Sequence, residues 1–239
     1  MKVLVFDLFG DFAYFRKYYT TTSPLTFSFP PPPTIAGILG AICGASKDEY
    51  LEVFSYEKCK IALRILEPIK KVRLGLNLIN TKENRYLRLF KAKHHEPRIQ
   101  VRTEFVKGPR YRIYVHHTVS EVFQKLTTLI EKHSCFYTVS LGLSELLADF
   151  KYVGVFQGQE VEAYETCVNT VIPLEKVKPR GIIIEPNKKY FKEKIPVIMR
   201  PDRVVEKYCD LIYEPGGLPI KVLAENAYKL DNGETIIFF

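Results

Sequence analysis

The pattern of apolar and polar positions predicts a strand, a long loop and a helix in the first part of the chain. Lys2–Phe9 is apolar and rich in branched and aromatic side chains, which is typical of a buried strand. The segment 10–33 is polar and rich in proline, so it predicts a loop. A helix is expected to begin at Thr34 and to end at Gly44. Its apolar stripe consists of Ile35, Ile38, Leu39 and Ile42.

Alternation of apolar and polar residues, which marks half-buried strands, is present in two stretches in the middle of the chain. Lys58–Glu67 alternates and predicts a strand. From Pro68 to Pro97 the short apolar pieces are broken by Lys, Arg, Asn and His, so we expect an arm rather than a core element. Arg98–Val106 alternates again, and a short turn after it predicts a hairpin with Tyr111–Val115.

The remaining elements complete an α+β fold. A helix with one apolar face is expected from Val119 to Ile130, and a further strand follows it. A strand, a helix and a strand, repeated with an insertion, predict a ferredoxin-like (RRM-like) domain. Residues 1–157 would form this domain with a basic thumb arm inserted at about 69–97. Residues 158–239 contain several short strand patterns and predict a smaller β-rich C-terminal lobe.

The positive charge of the chain is concentrated in one segment. The formal net charge is +8, but the segment from Arg64 to Arg112 alone carries +10, because 14 basic residues face only four acidic ones. The rest of the chain therefore sums to −2. Such a local excess favours a polyanionic partner, most often nucleic acid, whereas an idle charged surface usually mixes the two signs. The basic residues are Arg64, Lys70, Lys71, Arg73, Lys82, Arg85, Arg88, Lys91, Lys93, Arg98, Arg102, Lys107, Arg110 and Arg112.

The helix expected at Thr34 has two features that suit the close approach of another chain. Pro30–Pro33 stiffen the segment that leads into it. Gly37 and Gly40 leave the backbone bare on one face, and a phosphate could meet N–H groups at the N-terminus. The alternative is that the small residues allow this helix to pack closely on the sheet, and the sequence leaves both interpretations open.

Length and composition narrow the class of protein. The 239 residues are enough for one large domain or two small ones. No run approaches the ~20 apolar residues that a membrane-spanning helix needs. The five cysteines lie far apart and form no CxxC pair, which disfavours a zinc site and a disulfide framework. We therefore expect a cytoplasmic protein without membrane contact, metal or cofactor.

Four sequence blocks within residues 2–154 point to a known family. They are "VFDLFGDFAYFRKYY", "FPPPPTIAGILGAICG", "QVRTEFVKGPRYRIYV" and "SLGLSELLADFKYVG". In this order and spacing they resemble the CRISPR-associated RAMP family five, and the resemblance is closest to its type I-B members. Members of this family are the subunit of the type I Cascade complex that grips the 5′ handle of the crRNA. The resemblance therefore implies a ferredoxin-like RAMP domain with a role in antiviral defence.

The same resemblance implies particular contacts with crRNA and with other subunits. The loop after the first strand and the first helix would contact the handle, which maps to Arg16, Lys17, Thr34 and Gly37. The basic arm would act as a thumb that kinks the crRNA at the handle–spacer junction. The implied partners are the Cascade backbone subunit along the spacer and the large subunit that recognises the protospacer-adjacent motif. The other RNA-binding candidates are Arg73, Arg85, Arg88, Lys91, Lys93 and Arg102.

One branch of the family cuts the repeat RNA with a Tyr and a Lys-His pair. In this sequence Ile42 and Cys43 end the first helix, so that Tyr is missing, and only His116 and His117 could align with the pair. Two adjacent histidines could serve as acid and base without a metal, but neighbours in a strand point to opposite faces. The leading interpretation is a non-catalytic subunit. The alternative is a metal-independent endoribonuclease that processes CRISPR repeat RNA.

Overall fold

The computed structural model describes residues 1–21, 23–79 and 98–239. No helix in these residues is long and apolar enough to cross a membrane. The helices are α1 (Pro32–Cys43), α2 (Tyr50–Val53) and α3 (Ser120–Glu131), with a short 3-10 helix at Leu174–Lys176. The strands are β1 (Lys2–Gly10), β2 (Phe12–Ala13), β3 (Cys59–Ile65), β4 (Lys70–Ile79), β5 (Arg98–Lys107), β6 (Arg110–His117), β7 (Ala148–Val168), β8 (Ile172–Pro173), β9 (Val177–Ile182), β10 (Phe191–Met199), β11 (Val205–Tyr213), β12 (Ile220–Leu230) and β13 (Thr235–Ile236).

A central sheet of seven strands organises the molecule. Its order is β13-β12-β7-β1-β6-β3, and β9 pairs with the outer part of β12. All of these pairs are antiparallel. Leu4 of β1 lies opposite Val115 of β6 and Val155 of β7. The prediction of a buried first strand is confirmed, because Val3–Leu8 are all buried.

Helices α1 and α3 cover one face of the central sheet. The stripe predicted for α1 is buried against Leu4, Phe6 and Leu8 of β1. The helix begins at Pro32, two residues earlier than expected, and Gly44 ends it with a φ of 76°, a left-handed conformation that favours glycine. From α3, Leu126 and Ile130 complete this core.

The opposite face of the central sheet is only partly covered. Val3, Val5 and Tyr114 on that face pack against side chains of the β12–β13 hairpin and the residues after it. Further along the same strands, near Asp7, the face carries charged side chains instead. The covering side chains are Tyr228, Leu230, Ile236 and Phe238.

Two smaller sheets flank the central one, with the orders β2-β5-β4 and β10-β11-β8. Strand β4 pairs with β5 along its whole length, from Lys70 opposite Lys107 to Ile79 opposite Arg98. One expectation is therefore wrong: β5 pairs with β4 and β2 rather than with β6. Residues 70–79, expected to lie in an arm without a strand pattern, form β4, and most of its residues are exposed. Strand β6 has no edge available for β5, because β1 and β3 occupy both of its sides.

The predicted boundary between residues 157 and 158 lies inside β7. This strand runs from Ala148 to Val168. Its first part pairs with β1 as far as Gln157, and its second part pairs with β12 from Gly158 onwards. Strands β12 and β13 thus extend the same sheet. The division into two domains stays a prediction.

Candidate nucleic-acid interface

The β4–β5 hairpin has two faces of opposite chemistry, set by the alternation of side chains along each strand. One face carries Val72, Leu74, Leu76 and Leu78 from β4 opposite Phe105, Thr103, Val101 and Ile99 from β5. The other carries two basic residues from each strand. We name this second face the basic hairpin face; it comprises Lys71, Arg73, Arg98 and Arg102.

The basic hairpin face is exposed to solvent and keeps an excess of positive charge. The side chain of Arg73 is 69% exposed, and Arg98 and Arg102 are also exposed. Glu104 on the same face lies 3.3 Å from Lys71 Nζ and 3.9 Å from Arg73 Nε. Among the described residues of this face, one carboxylate accompanies four cations and lies close to two of them. Exposed cations of this kind attract phosphate groups.

The apolar face of the hairpin becomes exposed away from the body of the protein. Phe105, at the base, is buried. Further out, Leu74 is 42% exposed and Leu78 is 46% exposed. The hairpin therefore projects from the molecule, with its base fixed in the core and its outer part uncovered.

Arg16 and Lys17 are neighbours in the loop after β1 (residues 14–31, between β2 and α1), but they differ in their access to solvent. Arg16 is exposed, and its guanidinium donates a hydrogen bond to Thr20 O at 3.2 Å. The Lys17 ammonium forms an ion pair of 2.5 Å with Glu193 of β10, and both side chains are 12% exposed. Burial disfavours the charged form of Lys17, but the hydrogen bond and the charge of Glu193 outweigh it and raise the pKa of Lys17. Of the two predicted phosphate ligands, only Arg16 is open to solvent.

The same loop lies against the base of the basic hairpin face. Lys71 Nζ donates a hydrogen bond to Thr26 O at 2.8 Å. The Glu104 N–H donates to Pro24 O at 2.9 Å. A backbone bridge between Arg16 and Thr26 then connects this contact to the exposed arginine. Arg16, Arg73 and Arg102 therefore belong to neighbouring parts of one surface.

Thr34 and Gly37 lie elsewhere, in a groove of about 420 Å³ beside α1. Thr138, Ser140 and Arg203 line the other side of this groove. The amides expected to bind phosphate are not available there. Pro32 and Pro33 have no N–H, and the N–H groups of Thr34 and Ile35 both donate to Pro31 O.

The two glycines of α1 serve the contact between α1 and α2. A Cβ atom on Gly40 would lie 2.6 Å from Tyr50 Cβ, so this position requires glycine for close packing. A Cβ on Gly37 would lie 3.5 Å from the Tyr50 ring, an ordinary contact distance. The glycine face of the helix thus meets α2 rather than the sheet, and only the part near Gly37 borders the groove.

The two adjacent histidines have different surroundings. His117 is 4% exposed, its Nε2 lies 2.9 Å from Val53 O, and its Nδ1 accepts the Val119 N–H at 3.0 Å. His116 is partly exposed, with Nδ1 2.8 Å from Lys2 O. The buried ring is thus held by backbone groups on both nitrogens. Within the described ranges, no group of three or more His, Cys, Asp or Glu side chains could hold a metal ion.

A second group of arginines, on the central sheet, is bound to carboxylates. Arg112 Nε donates to Asp7 Oδ1 at 2.8 Å, and Asp7 is 5% exposed. Arg64 donates to Glu234 Oε1 at 2.6 Å, and Arg112 reaches the same oxygen at 3.3 Å. Burial opposes ionisation of Glu234, but a hydrogen bond from Asn232 and the charges of Arg112 and Arg64 hold its pKa below the ordinary value. We name Arg64 and Arg112 the inner arginines.

Sequence reasoning found part of this surface and missed part of it. It named Arg16, Arg73 and Arg102, which the fold brings to neighbouring positions. It missed β4, which brings Lys71 and Arg98 onto the same face as Arg73 and Arg102, although the alternation of Val72, Leu74, Leu76 and Leu78 is visible in the sequence. The four remaining candidates, which lie outside the described residues, are Arg85, Arg88, Lys91 and Lys93.

Comparison with known protein families identifies the chain. The family model described as "CRISPR-associated protein (Cas_Cas5)" matches residues 3–201. The chain belongs to the Cas5 family. The predicted family is therefore confirmed, and the protein is CRISPR-associated. The match does not distinguish subtypes, so type I-B stays a prediction.

Solved structures have the same fold as this Cas5 protein. A chain described as "CRISPR RNA-guided surveillance complex" superposes with a TM-score of 0.55 at 10% identity, covering 91% of each chain. A crystal structure of a CRISPR protein from Archaeoglobus fulgidus superposes with a TM-score of 0.57 at 17% identity, covering 100% of this chain and 99% of the other. No curated protein sequence matches the chain. At these identities the similarity shows a shared sheet-dominated α+β fold.

Proposed function

We propose that this Cas5 protein is a non-catalytic crRNA-binding subunit of a type I Cascade complex. It grips the 5′ handle of the crRNA, and the β4–β5 hairpin kinks the RNA at the handle–spacer junction. The observation that carries the proposal is the exposed basic hairpin face. Four cations on a projecting hairpin, with Glu104 as the single carboxylate in the described part of that face, fit a chain of phosphates better than a protein surface of mixed charge.

The proposed assembly includes the Cascade backbone subunit and the large subunit. Support comes from the structural similarity to a chain of a complex described as an RNA-guided surveillance complex. A hairpin that is anchored at its base and uncovered further out is also suited to reach between an RNA and a neighbouring subunit. The arm would comprise β4 and the residues after it, as far as 97.

We further propose that the core of the fold is ferredoxin-like. Support comes from the order β7-β1-β6-β3 in the middle of the central sheet, with α1 between β1 and β3 and α3 between β6 and β7. This is the arrangement expected of a split βαβ unit that is repeated once.

The proposal of a non-catalytic role draws on the surroundings of the two histidines. A general base needs a ring nitrogen within reach of the reacting hydroxyl. Both nitrogens of His117 lie within hydrogen-bonding distance of backbone groups in the interior, and His116 lies on the other side of the strand. No arrangement in the described residues places both rings at one RNA phosphate.

The test is a pair of charge reversals on the basic hairpin face. Arg73→Glu combined with Arg102→Glu should weaken binding of labelled crRNA handle by about tenfold or more at moderate salt. Each lost phosphate contact should also lower the slope of log K against log salt by about 0.7. Fluorescence anisotropy over a series of salt concentrations measures both quantities.

A matched control has the same change of charge at remote exposed sites. Lys132→Glu with Lys229→Glu alters the C-terminal end of α3 and strand β12. This control should keep nearly the wild-type affinity. Equal losses in both double variants would mean that only the net charge matters, and the proposal would then be wrong.

Incubation of the wild-type protein with repeat RNA in EDTA should give no cleavage product, whereas a product lost in His117→Ala would establish the endoribonuclease alternative.

A further inference from the structure

Three tyrosines form an exposed aromatic cluster where the loop after β1 meets the β10–β11 hairpin. Tyr18 is 53% exposed, Tyr19 is 59% exposed and Tyr208 of β11 is 37% exposed. The ring centroid of Tyr18 lies 5.1 Å from that of Tyr19 and 4.9 Å from that of Tyr208. Large aromatic side chains that touch one another and still remain this exposed are a feature of binding surfaces. We name these residues the tyrosine cluster.

The cluster is held in place from below. The Lys17–Glu193 ion pair ties the loop to β10, and Lys17 Nζ lies 5.9 Å from the centroid of the Tyr19 ring. Tyr18 also packs against Phe27, which is 2% exposed. Because these contacts fix the loop, the rings are ordered before any ligand arrives, so binding would cost little conformational entropy in the tyrosine side chains.

The charge beside the cluster indicates its ligand. Arg16 precedes the tyrosines and is exposed. The basic hairpin face adjoins the same loop through the hydrogen bond from Lys71 to Thr26. Aromatic rings next to cations form the combination that binds single-stranded nucleic acid, since bases stack on the rings while the cations neutralise phosphates.

We propose that Tyr18, Tyr19 and Tyr208 stack against unpaired bases of single-stranded RNA whose phosphates lie along Arg16 and the basic hairpin face. This inference rests on the proposed function as an RNA-binding subunit. It adds a contact that depends on bases rather than on phosphates. It also gives the C-terminal region a part in RNA binding, because Tyr208 comes from β11.

The experiment separates stacking from phosphate binding with two probes of equal length. One is a fluorescently labelled single-stranded RNA of adenylate residues, and the other is an abasic tetrahydrofuran–phosphate chain. The variants are Tyr18→Ala with Tyr208→Ala, and Tyr18→Phe with Tyr208→Phe, which keeps the rings. Tyr164→Ala on β7, where the side chain is 78% exposed, serves as a control for loss of an exposed ring.

The wild-type protein should bind the adenylate RNA more tightly than the abasic chain. The double alanine variant should lose roughly fivefold to a hundredfold in affinity for the RNA and nothing for the abasic chain. The double phenylalanine variant and Tyr164→Ala should bind as the wild type does. Arg73→Glu with Arg102→Glu should instead weaken both probes, so the two proposals fail separately.

Two results would overturn the stacking proposal. The first is equal affinity of the wild-type protein for both probes, which would leave the tyrosines as a contact for protein. The second is a loss in the double alanine variant that is equal for both probes, since the substitutions would then act by displacing the loop. The melting temperature of each variant shows whether the fold is retained.

Discussion

The inner arginines and the basic hairpin face place the same side chain in two different settings. Arg64 and Arg112 lie on the central sheet, where Asp7 and Glu234 bind them at 2.6–3.3 Å. Arg73 and Arg102 lie on the projecting hairpin, where, among the described residues, Arg73 lies 3.9 Å from Glu104 and Arg102 has no ion pair. The first pair is bound within the protein, and the second is open to a partner.

This difference shows that a count of charges does not locate a binding surface. All four arginines lie in the segment of +10 that suggested a polyanionic ligand. Desolvation makes an unpaired charge costly in the interior, so the inner arginines need carboxylates to be tolerated. A solvated arginine has no such need, and its exposed pairs contribute little to stability. The inner arginines should therefore matter for folding, and the hairpin arginines for binding.

The largest expected effect comes from removing the carboxylate of an inner pair. Asp7→Ala leaves Arg112, whose side chain is 22% exposed, without its closest partner. We expect the free energy of unfolding to fall by about 2–3 kcal/mol. Urea denaturation measures the loss, with Arg73→Ala as the outer counterpart, for which a change within about 0.5 kcal/mol is expected. Similar losses in the two variants would remove the distinction between the two groups.

A smaller effect should separate two neighbouring residues of the loop. Lys17→Ala breaks the pair with Glu193 and should cost about 1–2 kcal/mol of stability, with an unchanged salt dependence of RNA binding. Arg16→Ala should leave stability nearly unchanged and lower the salt slope by about 0.7. Each variant is the control for the other. A reduced slope for Lys17→Ala would mean that its ammonium leaves Glu193 to bind RNA.

The smallest effect concerns the pH dependence of the inner pair. The pKa of Glu234 lies below its ordinary value of 4.5, so its ionised form contributes stability above about pH 4.5. This contribution is lost as the pH falls through the lower pKa of the folded state. Glu234→Gln should therefore lower stability by about 1 kcal/mol near neutral pH.

The difference between wild type and Glu234→Gln should disappear in acid. Denaturation curves of the two proteins at several pH values between neutral and about 3 provide the measurement. A difference that stays constant over this range would mean that the charge of Glu234 has no part in holding Arg64 and Arg112.

Periodicity predicted those elements of the fold that bury one face. Strand β1 and helix α1 were predicted because each buries a face in the core, and this gives their apolar residues a regular pattern along the sequence. Strand β4 was missed because its apolar face is largely exposed and basic residues lie between its apolar ones. The pairing of β5 with β4 rather than β6 depends on which strand edges are already occupied, and that is a property of the assembled sheet.

The candidate site shows a similar limit. Arg16 and Lys17 are adjacent and chemically alike, yet Glu193, far away in the sequence, binds one and leaves the other. Tyr208 joins Tyr18 only because β11 folds next to the loop after β1. Local sequence identifies residues that are able to bind RNA, but contacts between distant segments decide which of them face outward.

The apolar part of the second face of the central sheet is covered only late in synthesis. Val3 and Val5 are synthesised well before the side chains that shield them, such as Tyr228 and Phe238, which lie beyond residue 220. Until that late segment has been made, the nascent chain carries an uncovered apolar surface on an otherwise formed sheet. Exposed surface of this kind promotes aggregation. A ribosome that stalls before residue 220 would therefore leave a chain that needs a chaperone.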